Sequence, residues 1–182
     1  MKKLLLLGIA ILLVANVVSA APYPYMALYL DENRSSYCAY GDGPITIYVF
    51  VLPSDNGAFA SELRVELTGN IWPGSWTTNS EVVGLTMGDI ASGMSFSYHN
   101  CETDWHYVGT QGVFLTDDVT PGGATLLPHS STGFLGTANC DDEAGRPKED
   151  AIVLTNVYFN TDPCPEVGTQ DASWGAIKSL FE

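Results

Sequence analysis

From Ile45 to Leu67 the chain reads ITIYVFVLPSDNGAFASELRVEL, and no other stretch narrows the fold as much. Its first half sets Ile45, Ile47, Val49 and Val51 against Thr46, Tyr48, Phe50 and Leu52. Its second half sets Phe59, Ser61, Leu63, Val65 and Leu67 against Ala60, Glu62, Arg64 and Glu66. Period-two alternation sends each set to its own face of a pleated strand. The first strand is apolar on both faces and reads as central. The second has one oily and one charged face and reads as half solvated. Between them, Pro53-Ser54-Asp55-Asn56-Gly57 offers a fixed φ, side chains that bond their own backbone, and a residue free to take positive φ. The expectation is an antiparallel strand pair inside a β-sandwich.

The flanking sequence continues the pattern. Tyr25 to Leu30 reads as a first strand, followed by a polar loop from Asp31 to Gly43. Glu81 to Ile90 is strand-like but carries Gly84 and Gly88, which mark a bulge or bend. Gly93 to His99 alternates cleanly, with Met94, Phe96 and Tyr98 inward and Ser95, Ser97 and His99 outward. Trp105 to Thr116, Ala124 to Leu127, Phe134 to Asn139 and Ala151 to Phe159 complete the series. About nine or ten short strands separated by turn signals predict an all-β, antiparallel sandwich of Ig-like or jelly-roll type.

The ends of the chain differ from its middle. Met1-Lys2-Lys3, the apolar run Leu4 to Val18, and Val18-Ser19-Ala20 have the order of a Sec-type signal peptide, residues 1–20, cut after Ala20. The sandwich is expected over 21–161, a Pro-rich linker over 162–170, and a short amphipathic tail over 171–182. In that tail Trp174, Ile177, Leu180 and Phe181 recur at helical spacing and are candidate docking residues. The expected location is periplasmic, cell-surface or extracellular, with no transmembrane segment in the mature chain. Losing residues 1–20 removes Lys2 and Lys3 and no acid, leaving five bases against 21 acids, a formal charge of −16. Such a surface repels phosphate backbones, so nucleic acid is not an expected partner.

Four cysteines in an exported chain imply two disulfides. Cys140 and Cys164 flank the predicted last strand and should lie toward its opposite ends. That argues against joining them and leaves two connectivities, of which Cys38–Cys164 with Cys101–Cys140 is preferred.

The sequence holds no Gly-x-Ser-x-Gly elbow, no His-Glu-x-x-His pair and no phosphate-cradling loop. The three histidines, His99, His106 and His129, read as surface residues. Trp72 and Trp76 flank a Pro-Gly turn. With Trp105 they are candidates for stacking on a sugar, set against a plainer role in capping the core. Acids cluster in predicted loops, and Asp141, Asp142 and Glu143 are the candidate calcium ligands. No other cofactor is expected.

The strand pair at 45–67, then Gly88-Asp89-Ile90, Phe96-Ser97-Tyr98 and a closing apolar strand at 151–159, resembles the strand order of cohesin-like sandwiches. Those are secreted bacterial domains related in fold to carbohydrate-binding modules. The resemblance implies an exported, non-catalytic domain, though cohesins usually lack such a disulfide pair. The expected function is a non-catalytic exported binding or structural module, its partner an extracellular protein or a glycan. A carbohydrate-binding module is the alternative, and a secreted glycosidase is third.

Overall fold

The computed structural model describes residues 22–142 and 145–165. Thirteen strands are present among them: β1 Tyr25–Tyr29, β2 Cys38–Ala39, β3 Gly43–Leu52, β4 Ala58–Thr68, β5 Ile71–Thr78, β6 Val83–Asp89, β7 Gly93–Glu102, β8 His106–Leu115, β9 Gly122–Leu127, β10 Gly136–Ala138, β11 Lys148–Asp150, β12 Ile152–Thr155 and β13 Val157–Phe159. They form two sheets. One runs β12-β1-β3-β8-β5. The other runs β11-β10-β4-β9-β13-β2, with β7 along the other edge of β4 and β6 beyond β7. Among the described residues no helix is long and apolar enough to cross a membrane.

The core lies between the sheets. Met26 and Leu28 of β1 and Ile47, Val49 and Val51 of β3 face Leu63 and Val65 of β4 and Phe96 of β7, all buried. Inside β7, Met94, Phe96 and Tyr98 point inward as the alternation requires, and the Tyr98 hydroxyl donates to Ser61 Oγ at 2.6 Å. Both disulfides join the expected partners, Cys38 with Cys164 and Cys101 with Cys140.

Three expectations need correction. First, β3 and β4 are not hydrogen-bonded partners. β3 sits between β1 and β8, whereas β4 pairs with β7, β9 and β10. The Pro53–Gly57 segment carries the chain from one sheet to the other, and the two apolar sets meet through side chains across the core. Alternation assigns a residue to a face but says nothing of which strand lies beside it. Second, Ala151 to Phe159 is not one strand. It breaks at Asn156, so β12 joins the first sheet and β13 the second. The Asn156 Oδ1 accepts the Leu126 N–H at 3.0 Å and fills the gap in the ladder. Third, the sandwich is not purely antiparallel: β12 runs parallel to β1, and β13 parallel to β2. The count exceeds ten because β2 and β11 have only two or three residues, too few for periodicity to register, because β5 occupies the stretch read as a Pro-Gly turn between Trp72 and Trp76, and because the last expected strand splits into β12 and β13.

Candidate binding face

β3 is apolar on its outer face as well as its inner one, and the outer set builds an aromatic cluster. Phe50 points away from the core yet is only 3% exposed. Tyr29 and Tyr107 meet its ring edge-on at 5.8 Å each, and Trp105 does so at 6.4 Å. The Arg34 guanidinium lies 5.6 Å from the Phe50 centroid and 4.8 Å from that of Trp105. Tyr48 stacks beside Phe50 and meets Tyr107 edge-to-face at 5.6 Å. The rings come from β1, β3, β8 and the residue before β8, so the cluster exists only once the sheet has formed.

A groove of about 380 Å³ opens beside this cluster. Its floor is Tyr48 of β3, Tyr107 and Thr110 of β8 and Thr77 of β5, with Thr77 and Thr110 opposite each other in register. Two walls rise from loops. One carries Glu32, in the segment after β1. There the Asp31 carboxylate accepts the N–H groups of Asn33 (2.8 Å), Ser35 (3.2 Å) and Ser36 (2.6 Å) and folds the loop upon itself. Partial desolvation pushes the Asp31 pKa up, but the bonds from Ser35, Ser36 and Asn33 outweigh it and hold the carboxyl below its usual range.

The other wall is the β5–β6 turn with Ser80 and Glu81. Asn79 fixes it: its Nδ2 donates to the Tyr107 carbonyl at 3.0 Å, its Oδ1 accepts the Glu81 N–H at 3.2 Å, and its carbonyl accepts the Val83 N–H at 2.9 Å. Across the groove the Tyr48 hydroxyl points at Glu32 Oε1, 3.5 Å away. Desolvation first, then the negative charge of Glu32, raises the Tyr48 pKa, so the phenol stays a neutral donor. The groove thus combines aromatic surface, hydroxyls and two carboxylates on walls set before any ligand arrives.

The three tryptophans of the sequence reading do not share a surface. Trp72 is 69% exposed and pairs with Phe114 on the outer face, at the end of the sheet far from Trp105. Trp76 turns inward across the β5 bulge, packs on the core, and meets Phe96 at 5.7 Å. Trp105 is half-buried beneath Arg34. Sequence reasoning passed over Tyr48, Tyr107, Thr77 and Glu32, although Tyr48 and Phe50 on the second face of a central strand were the signal that this face is covered or used.

The candidate calcium ligands are placed differently. Asp142 pairs with Arg146, whose guanidinium also sits 3.4 Å over the Phe59 ring. Glu143 lies outside the described residues, as do Trp174, Ile177, Leu180 and Phe181. Among the described residues no three His, Cys, Asp or Glu side chains gather as a metal-holding group. The histidines stay apart. His99 reaches the Ser80 carbonyl, and His129 lies against Gly93 and bonds Ser131. His106 is buried against Tyr98, contrary to its reading as a surface residue. Its neighbours on β8 alternate inward, which carries it into the core.

No family model matches the chain, and no curated protein matches it. Solved structures do. A non-cellulosomal cohesin from the hyperthermophilic archaeon Archaeoglobus fulgidus aligns with a TM-score of 0.53 at 10% identity, covering 75% of this chain and 89% of that one. A type III cohesin module from the cellulosomal ScaE cell-surface anchoring scaffoldin of Ruminococcus flavefaciens aligns at 0.52 and 10% identity, covering 80% and 91%. The seventh ScaB type I cohesin from Pseudobacteroides cellulosolvens aligns at 0.50 and 7% identity, covering 78% and 96%. The chain is an all-β, cohesin-like sandwich stapled by two disulfides.

Proposed function

We propose that the chain is a non-catalytic binding module that works outside the cytoplasm and receives its ligand on the outer face of the five-stranded sheet. The observation that carries this reading is the groove beside Tyr48 and Tyr107, whose walls are held by Asp31 and Asn79 before any ligand is present. Pre-set walls spare a ligand the entropy of ordering them. The two disulfides suit an oxidising compartment, in keeping with export through residues 1–20. The ligand is an extracellular protein or a glycan. The likeness to cohesin modules, one of them from a cell-surface anchoring scaffoldin, supports a binding role over a catalytic one. The tail at 171–182 is the proposed attachment element.

The test pairs two double variants. Tyr48→Ala with Thr77→Val alters the groove. Leu85→Ala with Met87→Ala alters two exposed residues of β6 on the other sheet. Secreted proteins and soluble polysaccharides are presented to the wild type and to each variant. Binding lost only with the first pair supports the reading. Binding lost only with the second moves the site to the other sheet, and turnover of a bound glycan contradicts the non-catalytic reading. Removing 171–182 should shift the protein from the cell surface to the medium without altering ligand binding.

A further inference from the structure

We infer that the groove is a pyranose site selective for neutral or amino sugars over acidic ones, an inference that rests on the outer five-stranded face being the binding face. A pyranose has flat faces of C–H groups and a rim of hydroxyls, each able to donate. It needs an aromatic wall and acceptors held at fixed places. Tyr48 and Tyr107 supply the wall. Their rings stand 79° apart with centroids at 5.6 Å, so a flat ligand laid on one ring meets the edge of the other. The acceptors are the carboxylates of Glu32 and Glu81, facing the groove from its two loops. Asn79 is already spent on the Tyr107 carbonyl and the Glu81 N–H, so it shapes the wall and is not free to read the ligand. The hydroxyls of Thr77 and Thr110 complete a rim that offers more acceptors than donors, which suits a ligand rich in O–H or N–H.

Charge narrows the ligand further. Among the described residues no lysine or arginine lines the groove. The nearby guanidinium, Arg34, is engaged over Trp105 and Phe50. Two carboxylates without a facing cation repel uronates and sulfated sugars and attract an ammonium group. The same charge would admit a basic peptide, but the floor argues against one. Tyr48, Tyr107 and Thr110 stand on the interior strands β3 and β8, whose backbone groups are spent in their ladders; a free edge for an extended peptide exists only along β5, at the Thr77 margin of the groove.

The mature, disulfide-bonded chain would be titrated with oligosaccharides of three charge classes: neutral β-glucans and mannans, chitosan oligomers, and polygalacturonate. Poly-lysine serves as the peptide control. Binding to a neutral or amino glycan is expected, with polygalacturonate at least tenfold weaker. Thr77→Val with Thr110→Val keeps side-chain volume and should weaken that binding roughly tenfold, as two lost hydrogen bonds would. Glu32→Gln with Glu81→Gln should narrow the gap between neutral and acidic glycans. If no glycan class binds while a protein ligand is still lost on altering Tyr48, the sugar inference falls and the binding face stands. If altering Tyr48 changes no binding at all, the face itself is wrong. Poly-lysine binding that matches chitosan and ignores the threonine changes would reduce the groove to an unspecific acidic surface and overturn the inference.

Discussion

Tyr48 of β3 and Tyr107 of β8 meet edge-to-face, 5.6 Å between centroids, on the outer surface of the five-stranded sheet. They lie 59 positions apart in the chain, and only the pairing of β3 with β8 brings them together. Beside them the Glu32 wall is tied down by Arg34, whose guanidinium covers Trp105. Arg34→Ala should cost only about 0.5–1 kcal/mol, the usual worth of an exposed cation–π contact. Its effect on ligand binding should be larger, because the loop bearing Glu32, still folded by Asp31, loses its contact with the Trp105 and Phe50 rings. Urea midpoints and binding isotherms on the same variant separate the two effects. Equal losses in both would mean that the loop does not shape the groove.

His106 makes stability depend on pH. Its Nδ1–H donates to the Asp104 carbonyl at 2.9 Å, and among the described residues Nε2 has no partner. Burial pushes its pKa below the ordinary imidazole value, opposed by the Asp104 carbonyl and by the charges of Glu102 and Asp104. The folded ring stays neutral while an unfolded one takes up a proton near pH ~6.5. The unfolded state therefore binds more protons below that pH, and stability falls as the solution is acidified through it. Wild-type urea midpoints should drop between pH 7 and 5. His106→Phe should flatten that interval, and an unchanged slope would exclude His106 as the cause.

Gly57 ends the segment that crosses between the sheets, with φ at 68°. A Cβ there would collide with Cys101 Sγ and lie 3.0 Å from both Cys140 Sγ and the Glu102 carbonyl oxygen. Gly57→Ala should cost about 2–4 kcal/mol, combining left-handed strain with overpacking. Alanine lacks glycine's freedom at positive φ, so relief through a backbone shift would have to move the Cys101–Cys140 bridge. Denaturant unfolding of the oxidised protein measures the cost. A loss under about 1 kcal/mol, the low end for overpacking, would mean the turn is softer than its contacts imply.

The two disulfides should differ in value. Cys38–Cys164 spans 126 residues and Cys101–Cys140 spans 39. On the chain-entropy account these closures are worth about 5 and about 4 kcal/mol. The Cys38→Ser/Cys164→Ser protein should unfold at lower urea than the Cys101→Ser/Cys140→Ser protein. The reverse order would place the larger effect in native packing around Gly57.

Much of the fold was legible in residue periodicity. The inward set Met94, Phe96, Tyr98 and the doubly apolar β3 follow from spacing alone, and so does the sandwich class. The cysteine pairing was legible only in part: setting Cys140 and Cys164 toward opposite ends of one last strand argues against joining them but leaves two connectivities, and the structure has the preferred one. Strand partnership was not legible, because alternation is the same whether β3 turns back to pair with β4 or crosses to the other sheet. Nor was the break at Asn156, where the polar pair Thr155-Asn156 inside an apolar run marks the move between sheets. The groove was hidden for a related reason. Trp72, Trp76 and Trp105 draw attention as residue types, but their neighbours scatter them to an exposed end, the core and the underside of Arg34. Tyr48, Thr77 and Tyr107 look like ordinary strand residues until β3, β8 and β5 are laid side by side.

The most direct test is a chemical-shift map of isotope-labelled residues 21–182 titrated with the ligand, whether glycan or protein. The account predicts perturbed amides around Tyr48, Thr77, Asn79, Tyr107 and Thr110, with β6 and the outward residues of β7 unmoved. Perturbations gathered around Leu85, Met87, Ser95 and Ser97, with the Tyr48 groove silent, would contradict it.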